Sequence, residues 1–131
     1  MLDVMLIDDN KTEAVFWRHM QNRYYADKLS VRWFGKVESA LEHLKSSTPD
    51  VIVLDDKIPP HDSSQFALDQ IKAMGFPGKV VVWSNRESSE IRNRLRDHVD
   101  VPVVSKGDYL GRHLRKFIEP LLEDSAAVSE A

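Results

Sequence analysis

Cysteine is absent from all 131 residues, which excludes a disulfide framework and any thiolate-bound metal, and fits a reducing compartment. No apolar run approaches the roughly 20 residues that cross a bilayer. The opening Met1-Leu2-Asp3-Val4 lacks the basic segment and apolar core of a signal peptide, so the expectation is a cytoplasmic chain with no membrane partner. An excess of positive charge is missing too. The net charge of −3 argues against a domain-wide nucleic-acid footprint, and no direct nucleic-acid partner is expected. Neither a GxxxxGK[ST] loop nor a GxGxxG turn occurs, which argues against nucleotide binding. The five histidines (His19, His43, His61, His98, His113) show no compact metal-ligand spacing.

What is present is the composition of one ordinary domain, 42% hydrophobic and 30% charged. Five short apolar runs recur: Val4–Ile7, Val31–Phe34, Val51–Leu54, Val80–Trp83 and Val101–Val104. Val51-Ile52-Val53-Leu54 and Val80-Val81-Val82-Trp83 are continuous and rich in β-branched residues. Strands read this way when helices cover both faces of a parallel sheet. Val31-Arg32-Trp33-Phe34 alternates and belongs nearer an edge.

A helical pattern follows each run. Asn10 and Glu13 resemble a capping box, and Phe16, Met20 and Tyr24 form one expected buried stripe. Ala40, Leu41 and Leu44 mark a second helix that stops before Pro49. Asp62 can cap a third with core positions Ala67, Ile71 and Met74, ended by Gly75 and Pro77. Ile91, Leu95 and Val99 mark a fourth helix, and Leu110, Leu114, Phe117 and Ile118 a fifth. The expected fold is therefore α/β, a doubly wound five-stranded parallel sheet of (βα)5 type. One domain over residues 1–119 is expected, then an extension over 120–131 that finishes the last helix and frays.

In such sheets ligands bind beyond the carboxyl ends of the strands. The expected ends are Asp8-Asp9, Asp55-Asp56, Ser84-Asn85 and Ser105-Lys106. Acids after a strand often only cap the next helix, and a lone serine or lysine is often a turn or surface residue. Their occurrence in order at four strand ends points instead to a site. Clustered carboxylates favour a hard cation such as Mg²⁺, with a lysine and a hydroxyl left to hold phosphoryl oxygens.

These residues resemble the receiver domains of bacterial two-component response regulators. The likeness runs from Val4 to about Ile118. It rests on Met5-Leu6-Ile7-Asp8-Asp9, Pro49-Asp50-Val51-Ile52-Val53-Leu54-Asp55, Pro59, Val82-Trp83-Ser84 and Val103-Val104-Ser105-Lys106, with Ser39–Leu44 similar to the second helix. It implies the flavodoxin-like strand order 2-1-3-4-5, an order for which receiver proteins are themselves a standard example.

It also implies that Asp55 takes a phosphoryl group from a histidine kinase or histidine phosphotransfer protein; its rival Asp56 has the less favourable spacing to Pro59. Asp8, Asp9, Asp55 and the Lys57 backbone carbonyl would ligate Mg²⁺. Lys106 would pair with Asp55 and then with the phosphoryl oxygens, and Ser84 would bond the phosphoryl group. Output would reach a downstream protein through the face of the fourth helix, fifth strand and fifth helix. The chain would work as a stand-alone receiver, a phosphoprotein with intrinsic Mg²⁺-dependent self-phosphorylation and dephosphorylation chemistry rather than an enzyme.

Several positions depart from the family pattern. Lys57 overhangs the expected site, as a solvated loop residue or as a competitor of Mg²⁺. Ser63 and Asn85 stand where smaller residues are common. Gly107 replaces a proline, and a cis Lys106-Gly107 bond would cost about 2.5–4 kcal/mol, so a trans bond or a remodelled loop is expected. Val103 replaces a switching aromatic. Trp83 is either plain core or a readout of the site. Arg86, Arg92, Arg94 and Arg96 make the region of the fourth helix basic, either as a solvated face with Glu90 paired to Arg94 or as a docking surface. The departures motivate one rival, a pseudo-receiver that binds protein partners without phosphorylation. A second rival, a small phosphotransfer hydrolase, lacks a cap domain or substrate pocket in the sequence.

Overall fold

The computed structural model describes residues 1–61, 63–84, 91, 95, 98, 100–106 and 115–123. Strands β1 (Leu2–Ile7), β2 (Leu29–Phe34), β3 (Val51–Asp55), β4 (Lys79–Ser84) and β5 (Val103–Ser105) form one parallel sheet of order β2-β1-β3-β4-β5. Helices α1 (Lys11–Met20), α2 (Val37–Leu44) and α3 (Gln65–Ala73) connect them, and residues 115–123 are helical. None of the described helices is long and apolar enough to cross a membrane. The expected doubly wound architecture and strand order both hold. β2 lies at the edge, where its alternating pattern belongs.

The continuous Val51–Leu54 run is buried on both sides, which is why it does not alternate. Val51 and Val53 face a layer with Leu2, Val4, Leu6, Trp17, Met20 and Ile118. Ile52 and Leu54 face the opposite layer with Met5, Ile7, Ala40, Ala67 and Ile71. Ile91 and Leu95 are buried in that second layer as expected, while Val99, Leu110 and Leu114 lie outside the described residues.

Two expected core positions are corrected. Tyr24 is exposed and Tyr25 buried, because Gln21–Tyr25 forms a π-helical turn. Hydrogen bonds from i to i+5 insert one residue into the turn and rotate the following side chains by about one position. The buried positions are consequently Trp17, Met20 and Tyr25, with Phe16 only half-buried. Met74 is also exposed, since α3 ends at Ala73 and the chain turns through Gly75 at φ +71°; Leu68 takes its place in the core. α3 starts at Gln65 with Ser64 preceding it, and the Asp62 cap lies outside the described residues.

Register is set at the opposite end of the sheet from the acids. The Asp3 amide donates to Asp50 Oδ2 at 2.8 Å, and the Asp50 amide donates to the Asp3 carbonyl at 2.9 Å. The Lys79 amide donates to the Asp50 carbonyl at 3.1 Å, which joins β4 to the same point. Gly78 passes so close that a Cβ there would sit 2.5 Å from the Asp50 carbonyl oxygen and from the Phe76 ring. Gly78→Ala is expected to destabilise the fold by about 1–3 kcal/mol through this overpacking, read as a lower urea midpoint with an unchanged slope.

Candidate metal and phosphoryl site

Parallel register carries the chemistry to one edge. Ile7 pairs with Leu54, Asp55 with Trp83, and Ser84 with Ser105. Asp8 therefore emerges beside Asp55, and Ser84 closes β4 next to them. The chain reverses its order between β1 and β3, so the acids sit at the topological switch point. The Lys106 amide donates to the Ser84 carbonyl at 2.7 Å, which extends the β5 ladder by one residue and fixes where the lysine leaves the sheet.

Asp8, Asp9, Asn10, Glu13, Asp55, Asp56, Lys57, Ser84 and Lys106 line one cleft. Asp8 is fully buried. Its Oδ1 accepts from the Asn10 amide at 2.9 Å and its Oδ2 from Lys106 Nζ at 2.7 Å. Lys106 Nζ also donates to Asp55 Oδ1 at 3.1 Å, and the Asp56 amide donates to that same oxygen at 3.0 Å. The bonds from Lys106 and from the Asp56 amide thus both fall on Asp55 Oδ1. The loop after β1 is held by the Asp8 amide donating to the Phe34 carbonyl at 3.0 Å and by Trp33 Nε1 donating to the Asp8 carbonyl at 2.6 Å.

Five carboxylates meet two ammonium groups along this cleft. Burial pushes the Asp55 carboxyl up to about 6; Lys106 counters this, while Asp8 and Asp56 add to it. Glu13 is raised as well, by burial first, with Lys106 opposing and Asp8 reinforcing. Burial lowers the tendency of Lys106 to hold its proton, but hydrogen bonds and charge attraction from Asp8 and Asp55 outweigh it and raise its pKa. One carboxylate oxygen each from Asp8, Asp9 and Asp55 lie within 4.8 Å of one another. Three hard oxygen donors at that spacing, with a surplus of negative charge around them, fit a divalent cation such as Mg²⁺.

The predicted residues Asp8, Asp9, Asp55, Ser84 and Lys106 all come together, and exposed Lys57 lies on the rim of the same cleft. Asn85 and Gly107 lie outside the described residues, as does the basic run Arg86, Arg92, Arg94 and Arg96 with Glu90. Glu13 is a member the sequence reading assigned to a capping box. Asn10 does cap α1, accepting from the Thr12 amide at 3.0 Å, but the Glu13 carboxylate reaches to 3.9 Å from Lys106 Nζ. Its signal was available: a helix that starts at the acid pair places its first turn over the site. Trp83 is buried core, and its ring centroid also lies 5.2 Å from Lys106 Nζ.

No protein-family profile matches the chain, and no curated protein matches its sequence significantly. Solved structures do match over nearly its whole length. The signal receiver domain of a Luxo repressor protein from Vibrio parahaemolyticus superposes with a TM-score of 0.77 at 18% identity, covering 98% of this chain and 96% of that one. A response regulator receiver domain protein from Clostridium thermocellum gives 0.76 at 15% identity, covering 98% and 99%. The Francisella response regulator 1452 receiver domain gives 0.73 at 19% identity, covering 95% and 99%. The described residues, with their five-stranded sheet of order β2-β1-β3-β4-β5, thus build the fold of a response-regulator receiver domain.

Proposed function

We propose that this chain is a phosphoacceptor signalling switch that takes a phosphoryl group onto Asp55 from a histidine kinase or a histidine phosphotransfer protein. The observation that carries the reading is the Asp55 carboxylate, bonded on Oδ1 by Lys106 and the Asp56 amide, at the centre of the acid cluster. Oδ2 is the nucleophile. It attacks the phosphorus of the donor phosphohistidine, the N–P bond breaks with its electron pair returning to the imidazole, and an acyl phosphate forms. Asp8, Asp9, Asp55 and the Lys57 carbonyl would hold Mg²⁺, which when bound neutralises charge on the phosphoryl oxygens. Lys106 sits on the same carboxylate and supplies a second positive charge to those oxygens. Ser84, buried at the end of β4, offers its hydroxyl to the remaining one.

Residues 1–119 would be the signalling unit, cytoplasmic, with output through protein contact at the face that includes β5. Val103 is half-buried and leaves that face without a swinging ring at this position, so output follows another path. The test incubates wild type and Asp55→Ala with Mg²⁺ and acetyl phosphate, and with beryllium fluoride. Wild type is expected to gain one phosphoryl group per chain, and Asp55→Ala none. Equal labelling of the two would remove Asp55 from its role. No labelling and no fluoride-induced change in wild type would favour the constitutive adaptor, and rapid multiple turnover of a phosphate ester would favour the hydrolase.

A further inference from the structure

We infer that Trp83 is a positioning residue for this chemistry: its indole face holds the Lys106 ammonium at the carboxylates and ties it to the core beneath α1. The inference rests on the Asp55 reading above and deepens it by naming how occupancy of the site reaches the interior.

Lys106 Nζ lies 5.2 Å from the Trp83 ring centroid, within the range of a cation–π contact, for which tryptophan is the best ring. The lysine side chain is only 7% exposed, so water screens the contact little. The same indole meets Trp17 edge-on at 5.5 Å and 87°, and Phe16 at 5.7 Å. Trp17 is fully buried in α1, the helix whose first turn carries Glu13 into the cleft. One ring therefore bridges the site's cation and the helix that caps the site.

Packing alone is a poor reason for tryptophan here. The Trp83 indole N–H is buried without a hydrogen-bond partner among the described residues, and so is that of Trp17. A stranded donor destabilises, and phenylalanine or leucine would fill the core without one. Leucine has no π face to offer the ammonium, and that of phenylalanine is smaller than the indole's. Val103, three residues before Lys106, packs with the opposite layer and offers no ring to the ammonium. On phosphorylation the negative charge moves from Oδ2 out to the phosphoryl oxygens. Lys106 follows that charge, its distance to Trp83 changes, and the aromatic group with Trp17 and Phe16 repacks.

A double-mutant cycle on the full chain tests this, read as the rate of Mg²⁺-dependent labelling by acetyl phosphate. Trp83→Leu is expected to label about tenfold more slowly than wild type, and Trp83→Phe to recover most of that loss. In a Lys106→Met background Trp83→Leu is expected to change the rate by less than about twofold, because the contact is already gone. An equal slowing in both backgrounds, or none in either, overturns the inference.

The Lys106 Hε resonances give a second readout that needs no phosphorylation. The Trp83 ring current is expected to shift them upfield in wild type, and Trp83→Leu to return them to ordinary values. Ordinary shifts in wild type with normal labelling overturn the Trp83 contact and leave Asp55 in place. An upfield shift with no labelling of wild type overturns the Asp55 reading and leaves the contact standing.

Discussion

Asp55→Asn is expected to give a chain that accepts no phosphoryl group yet, without metal, resists urea better than wild type at pH 8. The reason is the direction of the Asp55 shift. Its carboxyl is raised by burial to about 6 in the folded chain, against 3.8 for the free group. Folding therefore favours the protonated form. Between these two values the folded state retains a proton that the unfolded state has released, so this group's contribution falls as pH rises across that window. Below about pH 4 the penalty is absent, and above about pH 6 to 7 it is complete. The shift corresponds to at most about 3 kcal/mol, less here because the cleft opens to solvent and water screens the charge.

Asparagine keeps the Oδ1 acceptor for the Asp56 amide and removes the charge. Lys106 keeps Asp8 at 2.7 Å, so no buried cation is stranded. Urea titrations of both proteins in chelator from pH 4 to 8 check this. The wild-type stability should decline toward pH 8 relative to Asp55→Asn, and Mg²⁺ should close the gap at pH 8 more than at pH 5. A gap that does not depend on pH would show that the charge on Asp55 is already well compensated.

Lys106→Ala acts in the opposite sense and is the more damaging change. Lys106 is the ammonium within 4 Å of Asp8, Asp55 and Glu13 together. Asp8 is fully buried, and truncating one partner of a buried ion pair typically costs about 3–5 kcal/mol because the remaining charge has nowhere to go. The cost in metal-free buffer at neutral pH should approach that range. It should shrink when Mg²⁺ is added and when Asp55→Asn is combined with it. Chemical denaturation of the single and double variants, each with Mg²⁺ and with chelator, measures both effects. A loss that neither Mg²⁺ nor Asp55→Asn reduces would mean that the lysine acts through packing of its stem.

The fold was legible because its causes are local. Continuous β-branched runs such as Val51–Leu54 identify strands covered on both faces, and Gly75 with Pro77 ends α3 by backbone geometry alone. The strand ends then follow from where each run stops, and the acids, Ser84 and Lys106 follow from the strand ends. A parallel sheet converts that ordered spacing into proximity, which is why five residues spread over nearly a hundred positions could be grouped before any coordinate was known.

The sequence by itself determined the class of fold, the edge that bears the chemistry and five of the residues that meet there, Asp8, Asp9, Asp55, Ser84 and Lys106. Three matters were decided only in three dimensions. The π-helical turn at Gln21–Tyr25 exchanged Tyr24 for Tyr25 in the core, because a one-residue insertion into a helical turn has no periodic signature. Glu13 went to Lys106 because long side chains choose among partners that distant strands deliver. Lys106 came to lie on Trp83 although 23 positions separate them, since β4 and β5 are neighbours only through the sheet. Periodicity reports which face a residue takes on its own element; what waits on that face depends on how the elements pack.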